Sequence, residues 1–314
     1  MNFATIWKRD VGDTVLGLSH LIGRRGVVVA SRRILRTFDL DGEMRWRQGL
    51  KSDFRDLAPL PDGGIVVACK DALTVLNSDG DEKKEIPLDS EPVQVLAGET
   101  VDLLAGNELH AFDSDWEPLG KVQLDVNAEA IIRHGSHFIV ATEDSIIEVN
   151  GEGAVQWDRG FDQGISSLVS AGERIYLASG REVHALDSKG ESLWKKSFPN
   201  HVRHILSNGA ILVILEDGTV FMDRETHEIV SRIDHGFSLG HLSDNTAVFA
   251  SERTVEFCED VGDVDVFYEI MCRGERKCGT FVSSEFVNQC PKCGASKIIL
   301  RVEKKRLYEK RPPG

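Results

Sequence analysis

A chain of 314 residues has room for one large domain and a small one, and its 41% hydrophobic and 28% charged residues are those of a folded globular protein, not a disordered one. No run approaches the ~18 consecutive apolar residues of a membrane-spanning helix. The start MNFATIWKRDVGDT has no apolar core behind a basic leader, so a cytoplasmic protein without a membrane span is expected. The net charge of −14 conceals a split: residues 271–314 hold six Lys and five Arg against four Glu, a local +7, so the remainder carries −21. Such asymmetry marks a segment with its own partner, while the acidic bulk repels nucleic acid and favours solubility.

In chain order, the first element is a short strand at residues 4–9, where the context TIWKRDVG around Trp7 resembles the later segments RWRQGL and LWKKSF. It precedes any complete repeat. A strand so placed predicts closure, because it can join the last sheet and remove its exposed edge.

Seven cycles follow. Each reads as an apolar run ending in Ala, a polar turn, an alternating run, then Asp or Asn before a Gly-containing turn. The Ala falls at Ala30, Ala68, Ala105, Ala141, Ala178 and Ala250, with Ile214 in the sixth place, and the spacing stays between 36 and 38 residues. The Asp/Asn marker keeps the same beat at Asp39, Asn77, Asp113, Asn150, Asp187 and Asp223, with Cys258 or Glu259 at the last place. Two markers in step over seven cycles exclude chance. Segments such as VVVASRRILRTFDLDGEMRW read as short strands joined by hairpins, and four strands per ~37 residues is the size of a propeller blade. The predicted fold is all-β: a seven-bladed propeller over residues 1–262, closed by the N-terminal strand. Trp46, Trp157 and Trp194 each lie seven residues after their marker, where a large ring would cover the seam between blades. Trp116 is out of that register and reads as an incidental turn or surface residue.

In AFDSDWEPLG, ALDSKGESLW and TFDLDGEMRW the repeat resembles the quinoprotein-like (PQQ-type) propeller family, over roughly residues 4–262. The resemblance implies the fold. Enzymes of that family carry eight repeats and an adjacent cysteine pair, and bind a quinone with calcium. This chain has seven repeats and no adjacent cysteines, so no quinone is expected and no residue inherits a quinone site. The family's non-catalytic members use the propeller as a docking surface, which is the closer analogy. First strands of blades face the central channel, making Arg55, Arg203, His204 and His241 candidate channel-lining residues, with solvated loop or channel positions as the plainer alternative. No nucleophile elbow, phosphate loop or zinc-protease helix is present. The turns at 39–42 and 77–80 imitate part of a calcium loop but lack the distal Glu, and read as hairpins.

Cys69 and Cys258 sit in apolar strand runs as small buried residues. Cys272 and Cys278 are separated by five residues, Cys290 and Cys293 by two, with eleven between the pairs. Four thiolates in a tetrahedron saturate Zn²⁺ and leave no open position for hydrolytic chemistry. Pro291 stiffens the second turn, and Gly294 lets the backbone fold back towards the sulfurs, as Gly279 does after Cys278. Two disulfides are the alternative and need an oxidising compartment. FYEIMC and CPKCGASK resemble rubredoxin-like zinc ribbons, although that family spaces its first pair two residues apart. The wider first knuckle disfavours redox iron, and structural zinc is expected, in a ribbon over 263–303 with a basic tail over 304–314.

Arg273, Arg276, Lys277, Lys292, Lys297, Arg301, Lys304, Lys305 and Arg306 are candidate nucleic-acid contacts. The same charge would equally serve docking onto the acidic propeller or an acidic protein partner. The expectation is a monomeric, non-enzymatic adaptor, with a protein partner on the propeller and a second partner, nucleic acid or ribonucleoprotein, at the ribbon. The alternative is a small-molecule-binding or enzymatic propeller that uses its central channel.

Overall fold

The computed structural model describes residues 3–22, 26–208, 210–233, 236–243, 246–260, 264–274, 278–283, 286–295 and 298–306. They form seven four-stranded antiparallel sheets and one three-stranded sheet. Blade 1 runs outward through Gly17–Leu21, Gly26–Ser31, Ile34–Asp39 and Met44–Gly49. Blades 2 to 6 repeat it, starting from Phe54–Pro59, Pro92–Ala97, Ala130–His134, Ile165–Ala171 and Val202–Asn208. Blade 7 takes Leu239–Ser243, Thr246–Ser251 and Thr254–Asp260, and its outermost strand is Phe3–Asp10 from the other end of the chain. That strand pairs antiparallel from Phe3 opposite Asp260 to Asp10 opposite Thr254, with a bulge between Thr5 and Trp7. First strands of successive blades touch in an unbroken ring, including blade 7 against blade 1. The propeller is closed as its repeats and N-terminal strand predict.

Burial explains the two hydropathy patterns within each repeat. Second strands are covered on both faces by neighbouring blades, so Val27, Val28, Val29 and Ala30, or Ile65, Val66, Val67 and Ala68, are wholly buried. Outermost strands such as Glu82–Pro87 cover the seam with one face only and alternate between exposed and half-buried positions.

The Asp/Asn marker has a mechanical role. Asp39 Oδ1 accepts the backbone N–H groups of Asp41 and Glu43, and Asn77, Asp113, Asn150 and Asp187 repeat the bond pair at the same offsets. The carboxylate is spent on its own turn, as a hairpin reading requires. The residue three after the marker needs a positive φ, supplied by Gly42, Gly80, Gly153 and Gly190. Trp7, Trp46 and Trp157 lie on Gly42, Gly80 and Gly190 of the next blade, so close that an added Cβ would meet the indole within 2.8 Å. Trp46 and Trp157 also donate Nε1–H to Ser78 and Ser188 carbonyls at 3.1 and 3.2 Å. The seam role predicted for Trp46 and Trp157 is what the structure shows, and Trp7 shares it. Trp116 lies in a turn, as expected, but is neither incidental nor exposed at the surface. It holds the positive-φ turn place itself (φ 67°) and packs against the buried cluster between blades 2 and 3.

After the propeller, Thr280–Ser283, Val264–Cys272 and Ile298–Arg306 form the three-stranded sheet, with Val264–Cys272 in the middle. Lys304, Lys305 and Arg306, expected in a separate tail, complete its third strand and pair with Val266, Asp265 and Val264. Tyr268 and Ile270 are buried, and the Tyr268 ring meets Phe286 edge-on at 5.6 Å. The Tyr268 phenol also reaches the backbone of Thr5 in blade 7. Burial, then the nearby Cys258 and Glu256, pushes its pKa up to about 12. This phenol lies against the propeller's closing seam.

Candidate metal centre and the channel strands

The ribbon's middle strand delivers Cys272 at its end, and Cys278, Cys290 and Cys293 come from the two turns. The four sulfurs lie within 4.8 Å of one another, Cys272 and Cys293 at 3.8 Å, and none is disulfide-bonded. A tetrahedron with metal–sulfur bonds of about 2.3 Å has edges of about 3.8 Å. The donor set therefore fits one metal ion of the kind four thiolates hold. Cys272 and Cys290 are buried, and Cys278 and Cys293 are half-buried.

The second knuckle is shaped by its backbone. Cys290 N–H donates to the Ala295 carbonyl and Gly294 N–H to the Cys290 carbonyl, both at 2.8 Å, with Gly294 at φ 71°. Burial works against ionisation of Cys290, but the Lys292 and Cys293 amides aimed at its sulfur bring the thiol down to about 7. Its partner Cys278, hydrogen-bonded to Cys293 and half-buried, is pushed up to about 12. In the first knuckle, Cys272 N–H donates to the Gly279 carbonyl at 3.0 Å, with Gly279 at φ 98°. A Cβ on Gly274 would lie 2.6 Å from the Ala295 Cβ, so the knuckles approach this closely only with glycine there. Arg273 and Lys292 stand exposed beside the sulfurs. In the sheet register Arg301 lies opposite Glu269 and Lys305 opposite Asp265. Arg276, Lys277 and Lys297 lie outside the described residues.

All four channel candidates are on innermost strands, but they engage different neighbours. Arg55 Nε donates to Glu91 at 2.6 Å, and Arg203 lines a cavity of about 490 Å³ with Asp10, Phe237 and Arg253. His204 meets the Ser238 backbone, and burial followed by Arg203 lowers its pKa. His241 packs against His20 of blade 1, Nδ1 to Nδ1 at 2.9 Å, and His20 Nε2 lies 3.1 Å from the Thr246 hydroxyl. Burial and then His241 hold His20 down to about 3, and burial holds His241 down to about 4. The pair is a neutral hydrogen bond across the closing seam.

Sequence reasoning missed a set of polar clips between innermost strands. Asp56 accepts Val95 N–H at 2.9 Å, Gln94 Oε1 accepts Ile131 N–H at 2.8 Å, and Ser167 Oγ accepts Ile205 N–H at 3.0 Å. Each bond crosses to the next blade. The available signal was a polar residue within the first-strand apolar run, as in FRDLAP, PVQVLA and ISSLVSA.

Comparison with known proteins bears on the propeller. The family model described as outer membrane protein assembly factor BamB matches residues 142–250, which span blades 4 to 7. The propeller is PQQ-like. Nothing among the curated proteins matches the sequence. Among solved structures, the PQQ-like propeller is similar to BBS1N, reported as a crystal structure in complex with ARL6DN, soaked with lead. The TM-score is 0.71 at 11% identity, over 82% of this chain and 96% of that one. Identity this low speaks for the fold alone. The four-cysteine cluster and its sheet are consistent with a zinc ribbon.

Proposed function

We propose that this chain is a non-enzymatic adaptor: the propeller holds a protein partner, and the ribbon, loaded with structural zinc, anchors the assembly to a phosphate-bearing second partner, nucleic acid or ribonucleoprotein. The observation that carries this reading is the placement of exposed Arg273 and Lys292 on the two knuckles of a four-sulfur site with no ligand position to spare. A saturated site organises a surface rather than a reaction. Because the remainder of the chain carries −21, the +7 segment is the part suited to an anion. The complex of BBS1N with ARL6DN supports use of a propeller of this shape as a protein-binding scaffold.

The test is a salt titration of the full chain against labelled single-stranded RNA and duplex DNA. Binding should tighten as salt falls. Arg273→Ala with Lys292→Ala should weaken it and flatten the log–log salt slope by about 1.4 to 1.8. Absence of binding at low ionic strength removes nucleic acid from the proposal. Metal analysis of the purified chain separates zinc from iron: a tetrathiolate zinc protein is colourless and an iron one is red.

A further inference from the structure

Four of the propeller's seven seams are closed by a tryptophan, and blades 3 and 6 carry Gly120 and Ser231 at that place. Trp7, Trp46, Trp157 and Trp194 occupy equivalent places in the outermost strands of blades 7, 1, 4 and 5, opposite Phe257, Thr37, Glu148 and Ala185. Each covers the turn of the following blade, Trp194 through a tilted contact with His227 at 4.5 Å between centroids. In blade 2 the equivalent residue, opposite Val75, is Lys84. The turn it faces in blade 3 carries Trp116 where its neighbours carry glycine. The large and small partners have changed sides. Lys84 Nζ reaches the carbonyls of Asp115 and Trp116 at 3.1 and 3.3 Å and the Glu117 carboxylate at 3.2 Å, but no indole fills the seam from the strand. A cavity of about 530 Å³ remains, walled by Leu60, Pro61, Val75, Val101 and Trp116.

We propose that this pocket is a peptide-docking site that takes one large apolar or aromatic side chain of a protein partner bearing Lys or Arg beside it. The volume is within the range of ligand pockets, and an indole in the wall favours an aromatic or cationic neighbour. The mouth selects the charge. Lys83 is held by Asp62 at 3.1 Å and Lys84 by Glu117, so both ammonium groups are neutralised within the chain. The exposed carboxylates of Glu99 and Asp115 border the pocket, and neither side chain has a cationic partner among the described residues. The propeller's overall negative charge would steer a basic peptide to this mouth.

The inference rests on the adaptor reading and names where on the propeller the protein partner engages. Its test is a display library of short peptides with a fixed central aromatic or leucine flanked by Lys or Arg, panned on the full chain. The double variant Lys84→Trp/Trp116→Gly, which rebuilds this seam in the image of the one made by Trp46 and Gly80, is the counter-target. Peptides enriched on the natural chain should bind the double variant roughly thirty-fold more weakly. Glu99→Gln with Asp115→Asn should weaken them about fivefold and remove most of the salt dependence. No enrichment, or equal binding to the natural and rebuilt seams, overturns the proposal. The charge variant lies on the surface and decides the matter even where the double variant fails to fold, since unchanged binding overturns it as well. A physiological partner that binds both seams alike would leave the adaptor role standing and remove this pocket from it.

Discussion

The propeller and the ribbon solve the same problem by opposite means. In the propeller, burial is spread over seven seams, each with a cluster of six to twelve buried side chains such as Val28, Ala30, Leu35, Ile65 and Val67. Seven similar seams share the cost of ordering the chain. The ribbon has three strands, and Tyr268, Ile270, Cys272, Gly274 and Cys290 are buried in it. A module of some forty residues rarely offsets the entropy of folding by apolar burial alone, so metal-bound sulfurs would supply the difference. Repetition tolerates local loss. A stapled module does not.

The widest separation of the two regions comes from metal removal. Chelation, or Cys290→Ser, should abolish amide protection in Val264–Cys272 and Ile298–Arg306, because tetrathiolate binding is worth about 10 to 16 kcal/mol to such a fold. The blades should keep their melting transition. Hydrogen exchange read by mass spectrometry, with native mass for one ion per chain, checks both halves. Loss of the blades together with the ribbon would break the comparison.

Within the propeller, the closing seam should be its most sensitive point, because there covalent continuity is replaced by strand pairing. Trp7 is only 4% exposed and stacks on Phe257 at 5.6 Å between centroids, whereas Trp46 and Trp157 are half-buried. Trp7→Ala should cost about 3 to 5 kcal/mol, and Trp46→Ala clearly less. Urea denaturation of the two variants ranks them. Equal losses would mean that closure is no weaker than any other seam.

What the sequence disclosed follows the same division. The seven-fold beat was legible because one local chemistry, an Asx-capped hairpin followed by a seam tryptophan, recurs with little change. The four cysteines were legible because metal geometry restricts their spacing. The swap of Lys84 and Trp116 was not, since each residue alone looks like an ordinary departure from a consensus, and only the seam that brings positions 84 and 116 together shows the exchange. The clips made by Asp56, Gln94 and Ser167 were hidden for a similar reason, as their partners lie 37 to 39 residues away. Lys304–Arg306 read as tail because charge suggests solvent, but the register with Val264–Val266 extends the strand through them.

One clip is under tension. Burial pushes the Asp56 carboxyl up to about 6, against the pull of the Val95 and Leu57 amides. A raised acid pKa means that the folded state favours the proton, so ionisation costs stability above pH 6 and the cost vanishes as pH falls towards the ordinary value near 3.9. Asp56→Asn keeps an oxygen for the Val95 N–H without the charge. It should stabilise the propeller at pH 7.5 by about 3 kcal/mol at most, and by little at pH 4.5. Melting curves at the two pH values test this, and a gain that does not depend on pH would assign the effect to packing.

The smallest expected effect bears most directly on how the two regions are joined. The bulge between Thr5 and Trp7 interrupts the ladder, and the Tyr268 phenol meets the Thr5 backbone there. Tyr268→Phe keeps the ring against Phe286 and touches no sulfur, so metal content should be unchanged. It leaves the Thr5 amide without its acceptor, a loss of about 1 kcal/mol, which predicts roughly fivefold faster exchange at that amide. If exchange at Thr5 stays as it was, the ribbon is tethered only by the chain and its basic face is free to meet a partner in any orientation. If it quickens as expected, the phenol fixes the ribbon at the closing seam. Partner binding at the knuckles is then felt by the same blade that holds the propeller shut.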